Sequence, residues 1–188
     1  MIDGDMMMLF LFLFLFLVML CTRVLLVLLQ PANGKGGDLL NCMENHEFPE
    51  EWAKFYFREI LLAIEVVHTI GYVHRDIKPD NVLLDASGHV KLADFGTCTK
   101  IIDDRGRAKA RDLIGTHDYL APEVLAVKTY DGKAGKSYTK AVDIWSLGVV
   151  FYEMACAETP FEDDTAEGTH RRIQMHNPDA MEYPDGGL

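Results

Sequence analysis

The sequence predicts a mainly α fold with one small β-hairpin, and three observations support this. Apolar residues recur at helical spacing over residues 49–67, after a first turn that carries proline and two glutamates. Residues 142–155 are apolar almost all round, which is typical of a buried helix. Between these segments, residues 82–84 and 89–92 are two short strand patterns joined by a turn with Gly88. We therefore expect a helical domain with one hairpin between its two long helices.

Size and charge narrow the class of protein. A chain of 188 residues suits one domain, or about two thirds of a two-lobed one. The formal net charge of −11 argues against a nucleic-acid partner, although a substrate rich in Lys or Arg would be attracted. The four cysteines show neither CxxC spacing nor a Cys/His cluster, so no zinc site or disulfide framework is predicted. Free thiols suit a reducing compartment and a cytoplasmic location.

An apolar low-complexity run of Leu and Phe occupies residues 6–29, and a helix of that length could cross a bilayer of about 30 Å. A membrane anchor is one hypothesis, and the positive-inside rule would then leave residues 30–188 facing the cytosol. A cleaved secretory signal is disfavoured by the acidic start and the length of the run. The third hypothesis is a repetitive or mis-joined coding stretch. We treat 1–29 as a separate segment, 30–37 as a breaker-rich linker and 38–188 as the domain.

The elements of the domain follow in order. Asp38 is a candidate N-cap for a short helix that extends to Glu44. The long helix that follows has Gly71 as its expected stop, and we expect it to support the loop after it. After the hairpin and the apolar helix, residues 163–174 predict one more short helix.

The segment between the long helix and the hairpin carries the chemistry. Residues 74–81 have the sequence His-Arg-Asp-Ile-Lys-Pro-Asp-Asn, and an Asp-Phe-Gly turn follows the second strand. Phosphoryl transfer needs an anion that orients the attacking hydroxyl, a cation near the phosphate and oxygen ligands for magnesium. Asp76, Lys78, Asn81 and Asp94 supply these groups, and the hairpin should bring them to one end. The alternative is that the aspartates are turn residues that accept local amide hydrogen bonds.

These segments resemble the H-R-D-x-x-x-x-N catalytic loop and the D-F-G turn of protein kinases, with Ile77 where Leu is usual. Gly115-Thr116, Ala121-Pro122-Glu123 and residues 143–148 follow at distances typical of the C-terminal lobe of that family. Lys78 within the loop is typical of serine/threonine kinases, so the resemblance implies an aliphatic hydroxyl as substrate. The order of so many motifs makes the resemblance specific.

The resemblance extends to the Rho-associated, citron and myotonic-dystrophy kinase group of the AGC class. It is carried by residues 36–40, 52–56, 88–98 and 118–119, and it covers residues 34 to about 185. The group implies protein substrates, with Rho-type small GTPases as regulators of the family.

The resemblance implies ATP and Mg²⁺ as cofactors and assigns a role to individual residues. The implied active-site roles are Asp76 as base, Lys78 as phosphate cation, Asn81 and Asp94 as magnesium ligands, Thr116 as a brace between Asp76 and substrate, and Asp38 as a contact to the ATP ribose. The N-cap alternative for Asp38 stays open. Asp143 would accept hydrogen bonds from catalytic-loop amides, and the alternative is an ordinary, exposed first-turn acid.

The loop between the D-F-G and A-P-E motifs differs from the family pattern. A phosphorylatable Thr usually stands four residues before the Gly-Thr threonine, and its phosphate pairs with the H-R-D arginine. Asp112 occupies that position, so we predict that it is a fixed, weaker partner for Arg75. The alternative is a solvated charge. His117 replaces the usual Pro, which alters the expected shape of the substrate-docking turn.

The sequence before Gly34 offers no Gly-rich loop, strand lysine or helix glutamate for ATP phosphates. The expected fold is therefore a kinase-like C-lobe that lacks the N-lobe and the last C-lobe helices, including the arginine partner of Glu123. The leading hypothesis is a serine/threonine kinase in partial form, with very low activity by itself. The alternative is a non-catalytic kinase-like interaction module, membrane-tethered if residues 6–29 form an anchor. A third hypothesis is a truncated product without a stable fold.

Overall fold

A computed structural model describes residues 36–46, 48–108, 113–126 and 137–177. The chain divides into two units, Met1–Asn33 and Gly34–Leu188, and all described residues belong to the second. Within those residues, no helix combines the length and the apolar character needed to cross a membrane. The apolar segment 6–29 and Asp112 lie outside the described residues, so the predictions for them are not addressed.

The described residues form five α-helices, most of them close to the predicted positions. They are α1 (Leu39–Asn45), α2 (Glu50–Thr69), α3 (Pro122–Leu125), α4 (Ala141–Cys156) and α5 (Ala166–Gln174). Asp38 caps α1, because its side chain accepts a hydrogen bond from the Asn41 amide at 2.7 Å. α5 begins three residues later than predicted, because Thr165 caps it by accepting from the Gly168 amide at 3.0 Å.

Six short strands in the described ranges pair into three antiparallel sheets of two strands each. The pairs are β1 (Tyr72–Val73) with β4 (Thr99–Lys100), β2 (Val82–Leu84) with β3 (Val90–Leu92), and β5 (Arg107–Ala108) with β6 (Tyr138–Thr139). The β2–β3 hairpin lies where the sequence predicts it. The other two pairs correct the prediction of a single hairpin. Their strands have two residues each and lie far apart in sequence, so no alternating pattern could reveal them.

α2 and α4 pack against each other and form the centre of the core. Ile60 and Ile64 of α2 and Leu147 of α4 are fully buried, and each such side chain stabilises the fold by about 1.5–3 kcal/mol. α4 is not buried all round as predicted, because Ile144 remains 44% exposed. The loop between β1 and β2 is fixed to this core through the fully buried Ile77.

Candidate active site

Asp143, in the first turn of α4, supports the loop of residues 74–81. Its carboxylate is fully buried, and it accepts hydrogen bonds from the backbone amides of His74 at 2.9 Å and Arg75 at 2.8 Å. Arg75 has a φ of 74°, a left-handed conformation that is uncommon for a residue other than glycine. The two hydrogen bonds stabilise this strained backbone, and they distinguish Asp143 from an exposed first-turn acid.

His68 is a partner of Asp143 that sequence analysis missed. Its Nε2 lies 2.7 Å from Asp143 Oδ2, and only 7% of its side chain is exposed. The two residues are 75 positions apart in the chain. His68 has no second ligand at helical spacing, so no sequence pattern marks it as more than a residue of α2.

His74 connects the loop to the Asp-Phe-Gly turn. The ring is fully buried, and Nε2 lies 3.0 Å from the carbonyl oxygen of Ala93. Burial lowers the pKa of His74, which favours the neutral ring with the proton on Nε2, since a carbonyl can only accept. The ring also makes an edge-to-face contact with Phe95, with centroids 5.2 Å apart. The loop and the turn are therefore held together by a group that carries no charge.

Asp76, Lys78, Asn81 and Thr116 form one hydrogen-bonded network. Asp76 Oδ1 accepts from the amide of Thr116 at 3.0 Å and from its hydroxyl at 2.9 Å. Asp76 Oδ2 accepts from Asn81 Nδ2 at 3.1 Å and lies 3.6 Å from Lys78 Nζ. Lys78 Nζ in turn donates to the Thr116 hydroxyl at 3.0 Å. The fold thus brings together the predicted base, cation and brace, although Thr116 lies 40 residues from Asp76.

Gly115 permits this close approach of the two segments. Its φ is +119°, and an added Cβ would lie 2.7 Å from the Arg75 carbonyl oxygen and 2.8 Å from Leu120 Cδ2. Real Cβ atoms essentially never approach so closely, and the φ itself disfavours other residues. A glycine is therefore required directly before Thr116.

A backbone hydrogen bond brings Asn81 close to the residue before Asp94. The Ala93 amide donates to the Asn81 carbonyl at 2.9 Å, which holds the residue before Asp94 against Asn81. Asn81 Nδ2 donates to the backbone carbonyl and the carboxylate of Asp76, and no described residue donates a hydrogen bond to Asn81 Oδ1. Asp94 has a φ of 54°, and its Oδ1 accepts from the Gly96 amide at 3.2 Å.

This pair fits magnesium that also binds a phosphate. Mg²⁺ prefers amide and carboxylate oxygens, and it takes its remaining ligands from water and substrate phosphates. Within the described ranges, no group of three His, Cys, Asp or Glu side chains could hold a metal ion by itself. The donor set of Asn81 and Asp94 therefore suits a shared ion better than a closed structural site.

The Arg75 side chain has partners in the described structure. Its guanidinium donates to the carbonyl oxygen of Thr97 and, at 3.0 Å, to the hydroxyl of Tyr138 in β6. The Thr97 hydroxyl donates back to the His74 carbonyl at 2.7 Å. Arg75 thus links residues 74–81 to the start of the loop between the D-F-G and A-P-E motifs and to β6, which follows that loop. Its pairing with Asp112 stays a prediction.

Two predicted residues lie outside this network. The Asp38 carboxylate caps α1, which is the alternative considered for it, and its contact to a ribose stays a prediction. Glu123 is exposed in the first turn of α3, and its structural role also stays a prediction.

An acidic group around Tyr119 and Glu153 was also missed by sequence analysis. The Tyr119 hydroxyl donates to Glu153 Oε2 at 2.7 Å, and burial raises the pKa of both side chains. The carboxylates of Asp80, Asp118 and Glu162 raise the pKa of Glu153 further. Asp80 belongs to the catalytic loop, so this negative region is continuous with the site.

The chain is similar in sequence to known protein kinases. Residues 19–184 match the protein kinase domain family, and the match begins inside the apolar segment 1–29. The chain is 47% identical over 150 residues to Rho-associated protein kinase 1 of Homo sapiens, an alignment that covers 80% of this chain and 11% of that protein. It is 45% identical over 153 residues to Rho-associated protein kinase let-502 of Caenorhabditis briggsae, covering 81% and 12%. It is 45% identical over 152 residues to serine/threonine-protein kinase mrck-1 of Caenorhabditis elegans, covering 80% and 9%. The chain therefore spans about a tenth of the length of these relatives.

Proposed function

Because the chain belongs to the protein kinase domain family, we propose that it carries the catalytic-loop half of a serine/threonine kinase active site. The reaction would transfer the γ-phosphoryl group of ATP to Ser or Thr hydroxyls of protein substrates. The observation that carries the proposal is the convergence of Thr116, Lys78 and Asn81 on the Asp76 carboxylate.

The hydrogen bonds suggest a division of labour within Asp76. Oδ1 already accepts two hydrogen bonds from Thr116, whereas Oδ2 accepts one from Asn81. Oδ2 is therefore the oxygen that would orient the substrate hydroxyl and take its proton. Lys78 Nζ, 3.6 Å from Oδ2, adds positive charge where the transferred phosphate would be.

Asn81 Oδ1 and the Asp94 carboxylate would hold Mg²⁺. When bound, this ion neutralises charge on the ATP phosphates. The buried, neutral His74 ties the loop to the turn that carries Asp94 and so keeps the two ligands in register.

Charge supports a protein substrate with basic residues near the target hydroxyl. Asp80, Asp118, Glu153 and Glu162 form the negative region beside the loop, and the chain as a whole has a formal charge of −11. We further propose that the protein acts in the cytosol, where ATP and basic protein substrates are found. Regulation by a Rho-type small GTPase is a proposal that rests on the names of the Rho-associated relatives. Attachment to a membrane through residues 6–29 stays a separate prediction.

A second candidate is a non-catalytic kinase-like interaction module. One observation favours it: Asp80 and Glu162 are exposed in the negative region beside the loop, where they could bind a basic partner whether or not phosphate is transferred. Such a module would bind its partner through the negative region without transferring phosphate.

The two candidates differ in magnesium-dependent nucleotide binding by the folded chain. Titration calorimetry with ATP, with and without MgCl₂, should show binding that Asp94→Ala weakens by at least about tenfold, because one charge-assisted contact is lost. Asp104→Ala is the matched control, since Asp104 is an exposed aspartate with the same charge. The chain should also transfer labelled phosphate from ATP to a basic peptide that contains serine. Asp76→Asn should abolish this transfer, which would support the kinase proposal. A cooperatively folded chain that neither binds ATP with Mg²⁺ nor transfers phosphate would instead support the interaction module.

A further inference from the structure

A cleft of about 640 Å³ lies away from the Asp76 network, between α2 and the start of α4. Its volume is in the range of small-molecule sites, about 300–1,000 Å³. Three aliphatic side chains line it: Ile64 is fully buried, while Leu61 and Ile144 are 37% and 44% exposed. Exposed aliphatic groups that converge in a cleft favour an apolar ligand group.

Two cationic side chains line the same cleft. Arg105 and Lys140 have no ion pair and no side-chain hydrogen bond within the part of the chain that the structure describes. Of the two aspartates before Arg105, Asp103 is paired with Arg107, and the exposed Asp104 does not line the cleft. The cleft has one acid of its own, Glu65, so its formal charge is positive although the chain is strongly acidic. Two such cations beside aliphatic side chains favour an anionic ligand that also carries an apolar group.

We propose that this cleft binds an anionic amphiphile, meaning an aliphatic chain with a carboxylate or phosphate head group. The aliphatic chain would cover Leu61 and Ile144, and the head group would lie between Arg105 and Lys140. Both a free fatty acid and an anionic membrane lipid have this chemistry.

The cleft is also connected to the catalytic loop. His68 lines it, and His68 Nε2 lies 2.7 Å from the Asp143 oxygen that accepts the His74 amide. The other oxygen of the same carboxylate holds the Arg75 amide. A ligand that contacts the His68 ring changes one of the three contacts of Asp143. It therefore alters the strength of the hydrogen bonds that the His74 and Arg75 amides donate to the same carboxylate. The site is therefore coupled to the catalytic loop through one carboxylate.

Ligand titrations test the chemistry of the site. The folded chain is titrated by calorimetry with decanoate and decyl phosphate below their micelle concentrations, and with decanol and decyltrimethylammonium as neutral and cationic controls. We expect the anions to bind at least about tenfold more tightly than either control, with affinity that falls as salt is added. Equal affinity for the cationic amphiphile would overturn the proposal. Titration with inorganic phosphate then shows whether a head group alone binds. Titration with phosphatidic acid vesicles shows whether the cleft binds a membrane lipid rather than a free amphiphile.

Substitutions of the residues that line the cleft show where the ligand binds. Arg105→Gln and Lys140→Gln should each weaken decanoate binding by about tenfold, because each removes one charge-assisted contact. Arg58→Gln is the matched control, since Arg58 is an exposed arginine of α2 outside the cleft. Ile144→Asn should weaken decanoate and decanol alike. If Arg105→Gln, Lys140→Gln and Ile144→Asn all bind decanoate as tightly as the Arg58→Gln control, the ligand binds elsewhere and the assignment is refuted.

Amide hydrogen exchange tests the coupling. Saturating decanoate should change the exchange rates of the His74 and Arg75 amides by at least about threefold, and His68→Gln should abolish that change while binding persists. Unchanged exchange at saturation would refute the connection to the loop. None of these measurements uses ATP or phosphoryl transfer, so their outcome is independent of the proposed kinase activity.

Discussion

Replacement of Asp143 should destabilise the whole domain. The carboxylate is fully buried and contacts two backbone amides and the His68 ring. Hydrogen bonds to a charged group contribute about 1.5–3 kcal/mol each, and neighbouring contacts do not add fully, so we expect Asp143→Ala to lower the free energy of unfolding by about 3–5 kcal/mol. That is a large share of the stability of a small domain, about 5–15 kcal/mol.

Asp143→Asn provides a graded test if the alanine variant does not fold. The asparagine oxygen can still accept from Arg75, but its NH₂ group faces the His74 amide, which is also a donor. We therefore expect a smaller loss, about 1.5–3 kcal/mol, with faster hydrogen exchange at His74 than at Arg75.

Urea unfolding followed by circular dichroism measures these losses. Asp164→Asn is the control, because Asp164 is an exposed aspartate outside the site. If Asp143→Ala stays within about 0.5 kcal/mol of that control, the carboxylate does not support the loop and our account of Asp143 is wrong.

Three further predictions concern the residues around the network. Thr116→Val, which removes the hydroxyl bound to Asp76, should lower phosphoryl transfer by about 10- to 100-fold, whereas Thr116→Ser should keep most of it; equal rates in a transfer assay would contradict the proposed brace. Gly115→Ala should lower the melting temperature by several degrees, because its Cβ would lie 2.7 Å from a catalytic-loop carbonyl oxygen, and an unchanged thermal transition would count against this contact. Burial raises the pKa of Glu153 above 4.5, so the folded chain holds this proton more tightly than the unfolded chain; the stability it contributes is full below about pH 4.5 and is lost as the pH rises through the folded-state pKa. Glu153→Gln should therefore raise the melting temperature at about pH 7 and leave it unchanged at about pH 4, with the exposed Glu158→Gln unchanged at both.

Much of the fold could be predicted because its signals are local. The β2–β3 hairpin and the approximate limits of α2 and α4 follow from periodicity and from proline and glycine residues in or beside each segment. The β1–β4 and β5–β6 pairs could not be predicted, since strands of two residues leave no period and their partners are distant. The start of α5 was misplaced because two residues, Asp163 and Thr165, both suit a helix N-terminus, and the hydrogen bond to Gly168 is made by the second.

The family and the chemical types in the site were also available from the sequence. The order of the motifs predicted a serine/threonine protein kinase of the Rho-associated group, and the comparisons confirm that family relationship. The sequence could not choose between two interpretations of Asp38, because an aspartate before a short helix suits both a cap and a ligand contact. The cap is a local hydrogen bond that only the folded backbone reveals.

The sequence by itself therefore determined which chemical groups this protein offers: the Asp76 carboxylate, the Lys78 ammonium group and the side-chain oxygens of Asn81 and Asp94. Only the tertiary structure decided how they meet. Thr116 fixes one oxygen of Asp76 from 40 residues away, and His68 reaches Asp143 across 75 residues. The physical reason is that a motif records residue types along the chain, whereas a hydrogen bond depends on distances that packing of α2, α4 and the hairpin sets. The same packing leaves Arg105 and Lys140 beside an apolar cleft, an arrangement that no stretch of the sequence predicts.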